Sequence, residues 1–84
     1  MKFYYITFRS VTHAQRGEGI LSGAGIRCAM QRTPRWMEEQ GCGYCLRLWT
    51  SDIAPAVRIL QQGQVPFRKV YVGGRDGQLE DWIP

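Results

Sequence analysis

The chain has 84 residues, 44% of them hydrophobic, and 11 Lys+Arg against 7 Asp+Glu give a net charge of +4. That length suits one domain with a modest core, the apolar share argues against disorder, and no stretch is long and apolar enough to span a bilayer. The charge favours anionic partners only mildly and, without a clustered face, does not by itself point to nucleic acid.

Lys2 to Arg9 is aromatic and β-branched and predicts a strand, with Tyr4, Ile6 and Phe8 on one face and Phe3, Tyr5 and Thr7 on the other. Both faces are apolar, so the strand is expected to be central. The start of the chain has no small-residue cleavage site, and it reads as structure rather than as a signal peptide. A cytoplasmic, reducing location follows as the expectation. There the three cysteines would be thiols rather than staples.

Ser10 or Thr12 offers an N-cap for a helix to about Ser22, with Ala14, Ile20, Leu21 and Ala24 as inner positions. Gly17 and Gly19 weaken it by roughly 1 kcal/mol each, which a close approach to the sheet would explain, and Gly23 and Gly25 stop it. Ile26 to Gln31 predicts a second strand, ended by Thr33-Pro34. Tyr44 to Trp49 predicts a third, with Tyr44, Leu46 and Leu48 opposite in face to Cys45, Arg47 and Trp49. Ser51 or Asp52 caps a second helix whose buried stripe is Ile53, Val57 and Leu60, closed by Gly63. Phe67 to Val72 predicts a fourth strand with Val70 and Val72 inward, ended by Gly73-Gly74. Residues 1–74 would form the domain and 75–84 a turn and loose tail, pinned by Trp82 and Ile83.

This order predicts an α+β, ferredoxin-like βαββαβ plait: a four-stranded antiparallel sheet with both helices on one face. Strand three would sit between strands one and two. The loop from Arg32 to Gly43 would then lie where the first helix starts, beside Arg9, Ser10, Thr12 and His13.

Within that loop runs Gly41-Cys42-Gly43-Tyr44-Cys45. Its plain reading is a hairpin connection that happens to hold two thiols. The functional reading takes Cys42 as open to approach between Gly41 and Gly43, with Cys45 at the start of a strand. A helix N-terminus nearby would favour the thiolate, the reactive form. Cys28 shares a face with Ile26 and Met30 and reads as a buried, inert thiol.

Several segments together resemble the selenium/sulfur carrier-like family. They are Ser10-Val11-Thr12-His13 at a helix start, Ala24-Gly25-Ile26 entering a strand, Thr33-Pro34-Arg35, and Cys42-Gly43 opening the third strand. The resemblance covers nearly the whole chain. It implies a persulfide or selenopersulfide held on Cys42 and exchanged with donor and acceptor proteins. Gly41 and Gly43 would make room, and Ser10, Thr12, His13, Thr33, Pro34 and Arg35 would flank the bound anion. In the family the Cys45 position is usually a small apolar residue, so a second cysteine is a departure that opens dithiol chemistry.

Two rivals come from other classes. Cys-Gly-Tyr-Cys with Val65-Pro66 and Gly73-Gly74 is similar to glutaredoxin landmarks, but such a site opens a helix, whereas a strand is expected after Cys45. A binding module could use Phe3, Tyr5, Arg27, Arg47, Trp49, Lys69 and Tyr71 on the open sheet face. RNA-recognition folds stack bases in that way, yet their standard aromatic motifs are absent, so a homodimer interface is the preferred reading. Zinc is not expected, because four ligands do not converge. No cofactor or membrane partner is expected either. Without an acid, base and nucleophile set, the reading is a carrier rather than an enzyme.

Overall fold

The computed structural model describes residues 3–33, 43–49, 53–73 and 79–81. Strand β1 (Phe3–Thr7) leads to helix α1 (Val11–Gly23), then β2 (Cys28–Arg32) and β3 (Tyr44–Trp49). Helix α2 (Ile53–Gln62), β4 (Val70–Gly73) and β5 (Leu79–Asp81) follow. The sheet order is β2-β3-β1-β4-β5, with every neighbouring pair antiparallel. The first four strands and two helices are the expected ferredoxin-like plait, with β3 between β2 and β1.

One core holds the layers together. Ile6 and Phe8 from β1 and its exit, Leu46 and Leu48 from β3, and Val70 from β4 supply the sheet side. Ala14 and Leu21 from α1 meet them, as do Ile53, Ala56, Val57 and Leu60 from α2. Since both helices feed this single cluster, both cover the same sheet face.

Gly17 makes the helix layer fit. A Cβ there would lie 3.1 Å from Phe8 Cζ and 3.3 Å from a Leu60 methyl, whereas one at Gly19 would meet open space. Only the first of the two glycines therefore serves close packing.

The helix ends correct some expectations. Ser10, not Thr12, is the N-cap of α1: it is extended, and its Oγ accepts from the His13 N–H at 3.2 Å. At the other end Ile26 N donates to Leu21 O and Gly25 N to Ser22 O, with Gly25 at φ +83. That is the two-bond glycine stop. Ala24, expected inside, is the exposed C-cap residue. In α2 the same motif is shifted by one. Val65 N donates to Leu60 O and Gln64 N to Gln61 O, and Gln64 takes φ 57. Gly63 precedes the left-handed position, and a Cβ on it would press within 3.1 Å of Ile20. Gly63 sits close against α1, while the left-handed turn falls to a glutamine. Gln64→Gly should therefore stabilise by about 0.5–1 kcal/mol. The urea midpoint should rise with an unchanged slope; an unchanged or lower midpoint would refute this.

Other boundaries also move. β2 starts at Cys28 and ends at Arg32, two residues and one residue later than expected. β4 starts at Val70 because Arg68 and Lys69 both face Thr7. Arg68 N donates to Thr7 O at 2.7 Å, Thr7 N to Lys69 O at 2.9 Å, and Lys69 N to Thr7 Oγ1 at 3.2 Å. Two residues against one make a bulge that interrupts the ladder. The segment read as a tail contributes β5, paired with β4 from Tyr71↔Asp81 to Gly73↔Leu79. The Ser51 or Asp52 cap and the Trp82-Ile83 anchor lie outside the described residues.

Candidate functional site

Strand register gathers the flanks of the cysteine loop. Thr7 at the end of β1 faces Cys45 at the start of β3, and Cys45 faces Gln31 near the end of β2. One step further, Thr33 N donates to Gly43 O at 2.8 Å. Because α1 begins soon after β1 ends, Ser10 and His13 belong to this same end of the sheet. The flanks of the loop thus lie where the sequence put them. Pro34, Arg35, Gly41 and Cys42 lie outside the described residues.

Three of the described site residues, Gly43, Thr33 and Ser10, have a local duty. Gly43 is buried at φ +86, a conformation that favours glycine whatever binds nearby. Thr33 is buried and its N–H is committed to Gly43, so that N–H is not available to an anion. The Ser10 hydroxyl already accepts from the His13 N–H. Thr12 is exposed on the first turn of α1. His13 Nδ1 is buried and makes no hydrogen bond, which marks it as the polar atom here with unused capacity. Gly43→Ala should cost about 1–2 kcal/mol from its left-handed backbone alone, read as a lower urea midpoint; an unchanged midpoint would show that the turn tolerates a side chain.

The described thiols are both shielded, on opposite faces. Cys45 is fully buried on the face away from the helices, beside Thr7 and Gln31 in register. As the second residue of β3 it does not open a helix, contrary to a thioredoxin-like site. Cys28 sits half-buried on the helix side, its Sγ 3.9 Å from Glu18 O. Burial pushes its pKa above the ordinary 9.0; a Ser22 hydrogen bond lowers it, and Glu18 adds to the rise. Protonated Cys28 therefore contributes stability that is complete below that ordinary value and lost as pH rises through the folded value. Native Cys28 should alkylate more slowly at neutral pH than in the urea-unfolded chain, as followed by peptide mass mapping; equal rates would show it to be open. Among the described residues no three His, Cys, Asp or Glu side chains converge as a metal site.

One feature escaped the sequence reading. A cleft of about 470 Å³ is lined by Ser22, Gly25, Ile26, Cys28, Ala29 and Trp49, with Arg27 at its side. It forms between the end of α1, the start of β2 and the end of β3, and no local pattern announces such a meeting.

The fold and site together define a small ferredoxin-like domain with a cysteine-bearing hairpin at the helix-start end of its sheet. The family model described as "Putative Se/S carrier protein-like" matches residues 3–72. The chain belongs to that family, and the match stops short of β5. No curated protein matches the chain. No helix among the described residues is long and apolar enough to cross a membrane.

Proposed function

We propose that this protein is a carrier that holds sulfur or selenium on Cys42 as a persulfide or selenopersulfide. Membership of the family over residues 3–72 carries the reading. The Cys42 thiolate attacks the outer sulfur of a donor protein's persulfide. A new S–S bond forms on Cys42, the donor's S–S bond breaks, and the donor leaves as a thiolate. Oxidation states are exchanged with no external oxidant.

Ser10, Thr12 and His13 at the start of α1 flank the bound anion, together with Thr33, Pro34, Arg35, Gly41 and Gly43. His13 Nδ1, buried and unbonded, is the strongest of these candidates. Cys45 is the resolving thiol. Its complete burial supports loading at Cys42 rather than at Cys45. When Cys45 attacks the inner sulfur of Cys42, an intramolecular disulfide forms and the outer atom departs as hydrosulfide or hydroselenide. A reducing, cytoplasmic setting suits this cycle, because the disulfide must be reduced before reloading.

The test is intact mass after exposure to a persulfide-generating donor. One added sulfur atom per chain, removed by reductant and mapped to Cys42, is expected. An unmodified chain, or an adduct mapped to Cys28, would defeat the proposal.

A further inference from the structure

We infer that the part of the sheet face opposite the helices that carries Phe3, Arg47 and Trp49 is a binding surface for single-stranded nucleic acid. The inference does not depend on carrier chemistry.

The two central strands carry a stacked cluster. Phe3 and Trp49, opposite each other in register, meet edge to face with ring centroids 5.5 Å apart. The Arg47 guanidinium lies over both rings, its Cζ 5.3 Å from the Phe3 centroid and 5.8 Å from that of Trp49. Arg47 Nε is buried and makes no hydrogen bond. Tyr5 faces Arg47 across the strand pair, and Tyr71 faces Tyr5 on the other side. Trp49 is 37% exposed, large for an indole with no function at the surface. The cleft beside Trp49, with Arg27 at its rim, continues the face and lies in the size range of a small-ligand pocket.

Charge selects the occupant. Arg47 lies on this face in β3, and the exposed Arg27 and Lys69 stand just before β2 and β4, next to it. Asp81, opposite Tyr71 on the outermost strand, is the one acidic position that register puts there among the described residues. A second copy docking by a two-fold axis would lay the same cationic patch against itself, and like charges at an interface are costly. A partner with negative charge and flat π-faces fits instead. Bases stack on aromatic rings and guanidinium planes while phosphates meet the cations. A plait sheet whose central strands bear rings is a known architecture for that purpose.

The experiment titrates fluorescein-labelled oligouridylate and oligothymidylate, each of about ten nucleotides, a length within single-strand site sizes. Anisotropy is read across a salt series. Binding should weaken with salt at a log–log slope of about −2, for three cations on a single strand. Arg47→Met, which keeps the packing body, should weaken binding at least tenfold. Lys69→Gln, at an exposed position, should weaken it severalfold and make the slope shallower. Arg58→Gln, exposed on α2, is the control and should change little. The two probes separate ribose-dependent recognition from general single-strand binding; either supports the inference. Absence of binding at low salt would overturn it, as would equal losses in the Arg58 and Lys69 variants. So would concentration-dependent dimerisation abolished by Lys69→Gln or Arg47→Met, because a second copy would then hold the face. Melting curves check that each variant folds, and Lys69→Gln keeps the test decisive if Arg47→Met does not.

Discussion

Cys42→Ser should abolish loading from a persulfide donor, whereas Cys45→Ser should load normally and hold its cargo longer. The first expectation follows from nucleophilicity: a hydroxyl at neutral pH is no substitute for a thiolate in attack on sulfur. The second follows from burial. Cys45 has no exposed surface, so a soluble donor reaches it poorly, but it follows Cys42 by three positions in sequence. Its removal should delete the proposed intramolecular release step and leave loading untouched. A hydroxyl in a buried thiol's place costs about 1–3 kcal/mol if it finds no partner, so Cys45→Ala serves as a second variant. Retention is followed by intact mass over time after the donor is removed. Loading of Cys42→Ser at the wild-type level would sink the carrier mechanism. Equal retention in both Cys45 variants and wild type would reduce Cys45 to a packing residue.

Phe8→Ala should cost about 3–5 kcal/mol, a large part of the roughly 4–13 kcal/mol expected for a domain of this length. Phe8 is fully buried, and its ring tip fills the space that Gly17 leaves on α1. Gly17→Ala alone should be neutral to destabilising by about 2 kcal/mol. Overpacking costs about 1–3 kcal/mol, and roughly 1 kcal/mol of helix propensity offsets it. With Phe8 already cut to alanine, the same methyl enters a cavity, and Gly17→Ala should become stabilising by about 1 kcal/mol or more. The sign reversal is the diagnostic result, read from urea midpoints in a double-mutant cycle. Strict additivity would mean that α1 shifts freely on the sheet and that Gly17 does not set its approach.

The flanks of the candidate site, Ser10, His13, Thr33 and Gly43, were legible because their signals are local, while Cys42 itself lies outside the described residues. Ser10 before a helical run, and glycines around Cys42, are patterns a few residues long. Where the reading failed, distant parts had to meet. The cleft at Trp49 joins three elements; alternation did put Phe3, Arg47 and Trp49 on one face, but that Phe3 and Trp49 fall directly opposite each other is a matter of register. Alternation with Leu46 and Leu48 put Cys45 on the face away from the helices, but its complete burial there was not legible.

The same division runs through the fold. Period-two and period-3.6 apolar patterns set the strands and helices, and their order set the plait, because those patterns express backbone geometry within one element. The glycine stop at Gly25 and the cap at Ser10 belong to the same class. Tertiary structure alone decided that Gly17 rather than Gly19 meets Phe8, and that Gly63 comes against Ile20. It alone decided that Gln64 takes the left-handed turn and that Leu79–Asp81 pairs as a fifth strand. Each of these outcomes is settled by contacts between residues far apart in the chain, whose energies no local propensity contains.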